Sequence, residues 1–158
     1  MDKKIKKQLV HLWGKVGFIV HLSQMVEYNL ANILAFDEIL REFETTDSMF
    51  VFEYNKLAKQ ANEWYEKLSK MTMGSVLKRA RKIKFFTTES EELLEKAIEK
   101  RNFVVHNFFK EDLKENYLEK NPQIYYADLE ETIELLGEIN ESLVSIFKEQ
   151  KEEHSLIF

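Results

Sequence analysis

The sequence predicts an all-α fold, a bundle of four to five helices in a single domain over residues 1–158. Its 158 residues include one Pro and four Gly, 44% of them are hydrophobic, and the apolar residues recur at helical spacing. An all-β protein needs many more turn residues, and a disordered chain would be poorer in apolar residues. The absence of Cys excludes disulfides, a zinc–thiolate site and a thiol nucleophile.

Net charge and hydropathy exclude further classes of protein. The net charge of −5 argues against a protein that coats polyanions without specificity. Lysines precede an apolar region near the N-terminus, but His11, Lys15 and His21 interrupt it, so it does not read as a signal peptide. No segment reaches the roughly 20 apolar residues that span a bilayer. We therefore expect a cytoplasmic protein with no membrane partner.

The first predicted helix covers about Lys4 to Phe43, and Gly14 and Gly17 are expected to bend or split it near its start. Its apolar residues fall on two opposite faces. A helix that is apolar on two faces is buried on two faces, so we expect one face to meet the core and the other a second subunit. One face carries Val16, Val20 and Leu34, and the opposite face carries Phe18, Met25, Phe36, Leu40 and Phe43.

The second predicted helix covers about Met49 to Lys70 and carries one apolar stripe. A junction at residues 71–74 follows it. After the junction comes a short basic segment that could recruit RNA, although such a segment is more often a solvated face. Its basic residues are Lys78, Arg79, Arg81, Lys82 and Lys84.

The third predicted helix begins at Thr88 and runs to about Phe109. Thr88 and Glu91 have the Thr-x-x-Glu spacing of a capping box, which satisfies free backbone N–H groups at a helix start. A loop at residues 116–126 contains Asn-Pro, and the fourth helix begins at Asp128.

Arg101 is the most informative position, because it falls near the middle of an apolar arc on the third helix. A guanidinium keeps its charge, so burying it without a partner is costly. We therefore expect a polar cleft or a nearby carboxylate, and among Glu27, Glu95 and Glu99 we favour Glu27, which sits among apolar residues on the first helix. The arc consists of Leu93, Leu94, Ala97, Ile98, Val104, Val105, Phe108 and Phe109.

Asn102 and His106 lie four residues apart on a face that borders this arc, beside Arg101. Histidine moves protons near neutral pH, arginine matches the geometry of phosphate, and asparagine can hydrogen-bond to either. These groups suit metal-free RNA cleavage, in which the ribose 2′-oxygen attacks the adjacent phosphate while Arg stabilises the developing charge. The alternative is that Arg101 pairs with an acid or extends to solvent and that His106 is a surface histidine.

The segment from Glu99 to Phe109 resembles the motif helix of HEPN domains (higher eukaryotes and prokaryotes nucleotide-binding). In that motif an Arg and a polar residue precede a His, with four to six intervening residues. The resemblance implies a dimeric helical bundle whose two motif helices form one composite cleft. It also implies that Arg101 and His106 are catalytic, that Asn102 assists them, and that no metal or cofactor takes part.

Three functions remain open from the sequence. The first is a metal-independent endoribonuclease that leaves 2′,3′-cyclic phosphate ends, acting as a toxin or phage-defence effector. Its partners would be a second copy, an RNA substrate and, in a toxin–antitoxin pair, a separate antitoxin chain. The second is a catalytically silent HEPN-like module that binds a partner protein or a nucleotide. The third is a structural helical dimer. The intact trio of Arg101, Asn102 and His106 favours the first.

Overall fold

The structure is a computed structural model that describes residues 3–45, 54–106, 108 and 122–154. These ranges contain helices and no strands, in agreement with the predicted all-α class. The helices are α1 (Lys3–Thr45), α2 (Tyr54–Leu68), α3 (Met73–Ala80), α4 (Thr88–His106) and α5 (Pro122–His154).

Helices α1 and α5 run side by side in the same direction. Near their beginnings, the Tyr126 hydroxyl donates a hydrogen bond of 3.3 Å to the Gln8 carbonyl. Further along, the Phe36 and Phe147 rings meet edge to face with centroids 5.9 Å apart. The two longest helices therefore form a parallel pair on which the other elements pack.

Helix α4 runs in the opposite direction along this pair. Near its start, the hydroxyls of Ser90 and Ser142 lie 3.0 Å apart. Near its end, Lys100 Nζ donates to Glu131 Oε2 at 3.0 Å. The contacts move towards the beginning of α5 as α4 proceeds, so Arg101 comes to lie beside the middle of α1.

Helix α2 also runs antiparallel to α1. Lys56 near its start pairs with Glu42 at 2.9 Å, and Trp64 Nε1 near its end donates to Glu38 Oε2 at 2.8 Å. Because α2 and α4 both run against α1, a return connection must join them, and α3 supplies it. Helix α3 begins inside the junction predicted at residues 71–74, where the Thr72 hydroxyl caps it.

Helix α1 passes through Gly14 and Gly17 without a break, so the expectation of a split helix was wrong. Added Cβ atoms at these glycines would meet nothing within 4 Å, and neither has a positive φ, so both fit ordinary helical geometry. Although α1 has 43 residues, no described helix is both long enough and apolar enough to cross a membrane.

The two apolar faces of α1 have different surroundings along the helix. In its second half both are buried within the chain, since Leu34 and Phe36 expose 5% and 1% of their surface. In its first half the buried residues Leu12, Ile19 and Val26 recur every seven positions, while other apolar side chains face solvent. The exposed ones are Val10, Trp13, Phe18, Val20, Met25 and Tyr28.

Most of the apolar arc of α4 that the structure describes lies inside the subunit, although Val105 is exposed. Leu94, Ala97 and Val104 are buried and belong to one core with Leu30 of α1 and Leu136 of α5. Helices of the same chain therefore cover most of the arc, which does not by itself require a second subunit.

Two boundaries differ from the sequence prediction. Helix α5 begins at Pro122, so the loop predicted through residue 126 was wrong over residues 122–126; residues 116–121 lie outside the described ranges. Backbone N–H groups in the first turn of a helix have no helical acceptor. Proline has no N–H, so it loses no helical hydrogen bond at that position. The second predicted helix spans Tyr54–Leu68 in the structure, and its predicted start at residues 49–53 lies outside those ranges.

The capping residue of α4 is Thr87 rather than Thr88. The Thr87 hydroxyl accepts a hydrogen bond of 3.1 Å from the Ser90 backbone N–H, and its carbonyl accepts one from Glu91. Glu91 is instead paired with Arg81. The predicted capping box of Thr88 and Glu91 was therefore wrong, although the predicted helix start at Thr88 was correct. The predicted end at Phe109 lies outside the described residues, and the helix is described to His106.

Candidate functional site

A cavity of about 200 Å³ lies between α1, α4 and the connection from α2 to α3. Its apolar lining includes Leu30 of α1 and Leu94 of α4, both buried in the core. Its charged lining residues are Glu27 and Arg101, whose side chains each remain 29% exposed. The charged groups therefore lie towards the opening of the cavity, and the apolar groups form its interior.

Arg101 is held by two neighbours at this opening. Its Nη2 lies 3.3 Å from Glu27 Oε1, and its Nη1 donates to Asn102 Oδ1 at 2.9 Å. Its Nε is buried and has no hydrogen-bond partner among the described residues. The guanidinium is thus fixed through its two terminal nitrogens, while its third nitrogen retains an unused donor.

The ion pair expected between Arg101 and Glu27 is present. Antiparallel packing of α4 against α1 places the two side chains together, and both helices are apolar around them. The other two carboxylates considered, Glu95 and Glu99, are exposed on α4. Pairing offsets part of the cost of removing both charges from water. The role of Glu27 as a supporting acid remains a prediction.

His106 lies apart from this group. It is the last residue of α4 and is exposed, and it is not among the residues that line the cavity. Five residues of helix place it about 7.5 Å along the axis from Arg101. The structure therefore brings Arg101, Asn102 and Glu27 together within one subunit and leaves His106 outside the cavity.

The basic segment is partly neutralised by neighbouring side chains. Arg81 Nε donates to Glu91 Oε1 at 2.6 Å, and this hydrogen bond holds the pKa of Glu91 below its usual value. Lys84 pairs with Glu153, and Arg79 lies over the Trp64 ring, 5.4 Å from its centroid. Lys78 and Lys82 are exposed. The segment is therefore a mixed surface rather than a continuous basic track.

The end of the basic segment also lies far from Arg101. The Lys82 carbonyl accepts a hydrogen bond of 3.0 Å from Arg41 on α1. Arg41 is fourteen residues beyond Glu27 on the same helix, which corresponds to about 21 Å along the axis. Any RNA contact made by Lys82 would therefore involve nucleotides several positions away from those at Arg101.

Sequence reasoning missed the cavity itself and the part that several residues have in lining it, Ser23 and Met71 among them. Ser23 is buried on α1 and donates to the Ile19 carbonyl at 2.7 Å, and Met71 lies in the connection between α2 and α3. A serine within the apolar face of α1 was an available signal. The position of the connection was not, because it depends on how α2 and α3 pack.

Metal-ligating side chains are not clustered in the described parts of the chain. No group of three or more His, Asp or Glu side chains there is arranged to hold a metal ion. The structure does bring together three polar groups: a guanidinium, a carboxylate and an amide. They can hydrogen-bond to a ligand and stabilise charge on it.

No family model matches the chain, and no curated protein or solved structure does either. The resemblance to HEPN domains is therefore neither supported nor contradicted by these comparisons. It rests on the spacing of Arg101, Asn102 and His106 and on the helical architecture.

Proposed function

We propose that this protein is a metal-independent endoribonuclease of the HEPN type, acting as a homodimer in toxin or phage-defence systems. The observation that carries the proposal is the fixed guanidinium of Arg101. Glu27 and Asn102 hold it at the opening of a cavity, on the same helix as the exposed His106. A fixed cation that needs no reorganisation is suited to stabilising a transition state.

In the proposed reaction, His106 removes the proton from a ribose 2′-hydroxyl, and the 2′-oxygen attacks the adjacent phosphorus. The bond from phosphorus to the 5′-oxygen breaks, that oxygen takes a proton from water, and His106 returns the 2′-proton to the solvent. The products are a 2′,3′-cyclic phosphate end and a 5′-hydroxyl end. Arg101 stabilises the charge on the phosphoryl oxygens, and Glu27 and Asn102 keep its side chain in position.

The separation between His106 and Arg101 along α4 is the reason for proposing a site that two subunits form together. With about 7.5 Å of helix between Arg101 and His106, two copies of α4 that meet across a dimer could place His106 of the partner subunit near Arg101. Both helices of the ion pair carry exposed apolar side chains: Val105 lies one turn beyond Arg101 on α4, and Val20 lies two turns before Glu27 on α1. Light scattering at micromolar concentration should give twice the mass of one chain.

The test compares digestion of single-stranded RNA by the wild-type protein and by folded His106→Ala, each with and without EDTA. We expect the substitution to lower the rate by about 10²–10⁴-fold, and we expect EDTA to have no effect on the wild type. Arg101→Lys should retain little activity, because a point charge cannot replace the guanidinium fork. His11→Ala is the matched control, since His11 is also an exposed helical histidine. Equal cleavage by wild type and His106→Ala would contradict the proposal.

The biological setting has its own experiment. Induced expression of the wild-type chain should arrest growth of a bacterial host, whereas His106→Ala should not. RNA from the arrested cells should carry 2′,3′-cyclic phosphate ends, because the 2′-oxygen is the nucleophile. Growth arrest by both proteins would contradict a toxic role based on cleavage.

A catalytically silent module that binds a nucleotide or a partner protein is the second candidate. Two observations favour it: both terminal nitrogens of Arg101 are already engaged by Glu27 and Asn102, and His106 does not line the cavity. Absence of cleavage by the wild-type dimer across varied RNAs would select this candidate.

A further inference from the structure

We infer that the cavity beside Arg101 is a subsite for one guanine base of a single-stranded nucleic acid. The inference rests on the proposed function only in taking a nucleic acid as the ligand, and it does not require cleavage. Four properties of the cavity carry it: its size, its apolar interior, its balanced charge and its unused hydrogen-bonding groups.

The size of the cavity suits a single base. Its volume is about 200 Å³. A cavity needs about 10–15 Å³ to hold one water molecule, so this one has room for a planar heterocycle. The apolar side chains of Leu30, Leu94 and Ile98 form part of its wall and can contact the faces of a base. The sugar and phosphate would remain outside, at the half-exposed opening.

The charges at the opening favour a neutral group inside. Glu27 and Arg101 carry opposite charges 3.3 Å apart, so together they contribute no net charge to the cavity. A phosphate inside the cavity would meet the Glu27 carboxylate as well as the guanidinium, away from the solvent that screens this repulsion for a phosphate outside the opening. A neutral base with both donors and acceptors avoids this repulsion and can still bond to both residues.

The unused groups match the edge of guanine. Glu27 Oε1 is the oxygen that pairs with Arg101, and no described residue donates to Oε2, so the carboxylate can still accept. Guanine presents two adjacent donors, N1–H and N2–H, which the Glu27 carboxylate can accept together.

The other bases lack this arrangement. Adenine and cytosine each present one amino donor next to an acceptor nitrogen, and uracil presents one N–H between two acceptors. Each would place an acceptor against the acceptor-only carboxylate and leave part of it unpaired. A good bidentate contact to a base gives about 5- to 150-fold discrimination, which is the selectivity we expect for guanine.

The test measures binding separately from cleavage. Fluorescent five-residue thymidine oligodeoxynucleotides with guanine, adenine or cytosine at the centre are titrated with the full chain. They have no 2′-hydroxyl and cannot be cleaved by the proposed reaction. We expect the guanine probe to bind about 5- to 150-fold more tightly than the other two.

Glu27→Gln supplies a readout that a purely structural role of Glu27 would not give. The amide offers one donor and one acceptor, so it no longer matches the two adjacent donors of guanine but does match the adjacent donor and acceptor of adenine. We expect affinity for the guanine probe to fall and affinity for the adenine probe to rise. Glu138→Gln, the same change at an exposed position on α5, should leave the preference unchanged.

A second variant keeps the test valid if Glu27→Gln does not fold. Ser69 is exposed at the rim of the cavity, so Ser69→Tyr should obstruct the opening with little effect on the core. We expect it to remove the preference for guanine. Equal affinities for all three probes would overturn the inference, as would an unchanged preference in both variants.

The two proposals can fail independently. Cleavage of RNA without preference for a neighbouring guanine, together with equal probe affinities, would remove the guanine subsite and leave the ribonuclease proposal standing. Guanine-selective binding without any cleavage would support the subsite and favour the silent nucleotide-binding module.

Discussion

The Arg101 guanidinium lies 3.3 Å from the Glu27 carboxylate, although 74 residues separate the two positions in the chain. The pair joins α4 to α1 at the opening of the cavity, and each side chain is 29% exposed. Its charges are therefore neither fully solvated nor fully removed from water. This intermediate burial makes the contribution of the pair to stability measurable.

A double-mutant cycle should measure that contribution. Glu27→Ala leaves Arg101 half-buried with only the Asn102 amide as a partner, so we expect the free energy of unfolding to fall by about 1–3 kcal/mol. The coupling energy between Glu27→Ala and Arg101→Ala should be about 1 kcal/mol, because solvent screens part of the attraction. Urea denaturation of the four proteins gives both quantities.

The control for this cycle is a pair on the surface. Lys148 and Glu152 lie 3.7 Å apart on α5 and their side chains are 72% and 65% exposed. Their coupling should not exceed about 0.5 kcal/mol. An Arg101–Glu27 coupling as small as that one would show that the pair does not hold the two helices together.

The start of α4 gives a second prediction about stability. Thr87→Ala removes the hydroxyl that accepts from the Ser90 N–H, so it should lower the free energy of unfolding by about 0.5–2 kcal/mol. Thr88→Ala, at the exposed first helical residue, should change it by less than about 0.5 kcal/mol. Thermal unfolding of the two variants compares the effects directly. A larger loss of stability in Thr88→Ala than in Thr87→Ala would show that Thr88 is the capping residue.

A third prediction concerns pH. Burial raises the pKa of Asp37 above its ordinary value of 3.8, although Arg41 beside it opposes the shift. A raised pKa means that the protonated carboxyl stabilises the fold at low pH and that this stabilisation is lost as the pH rises through the raised value. The Asp37→Asn side chain does not titrate, so the variant does not lose stability in this way. Its stability relative to wild type should therefore rise from about pH 3 to about pH 6, by less than about 1 kcal/mol.

Glu91→Gln is the control with the opposite sign. The hydrogen bond from Arg81 lowers the pKa of Glu91, so the wild type gains stability as the pH rises from the lowered pKa to the ordinary pKa of that carboxyl. The stability of the Gln variant relative to wild type should therefore fall over the same interval. Urea titrations at several pH values measure both differences, and curves of the same sign would contradict the assigned causes.

The glycines of α1 give a fourth prediction. Gly14 and Gly17 occupy open positions in a continuous helix, so Gly14→Ala and Gly17→Ala should each raise the free energy of unfolding by about 0.5–1 kcal/mol. Gly137→Ala on α5 should do the same, because its site is equally open. Destabilisation at Gly14 and Gly17 alone would reveal another surface packed closely against α1.

Local patterns in the sequence predicted four of the five described helices and one long-range contact, and they missed α3. The Arg101–Glu27 pair could be expected because each charge lies on an otherwise apolar helix face and needs a partner. The start of α5 was missed because Asn-Pro also occurs in loops, and only packing shows that Pro122 begins a helix. The cap was misplaced because two successive threonines both fit a capping pattern.

The geometry of the site was less accessible from the sequence. Helical spacing placed Asn102 beside Arg101 and both near His106, but spacing along one helix does not reveal which neighbours cover each position. The connection between α2 and α3 closes the cavity over Arg101 and Asn102 and does not extend to His106. A cavity reflects where side chains fail to fill space, and no single segment contains that information.

The unequal burial along α1 implies that one continuous helix has two different local stabilities. Most residues from Leu30 to Leu40 are buried, so exposing their amides requires α2 and α5 to separate from α1, which approaches global unfolding. The first turns have only one narrow buried stripe and can open while the rest stays folded. Amide hydrogen exchange along α1 should therefore slow in the C-terminal direction, and Glu27, paired with Arg101, marks the boundary between fast and slow exchange.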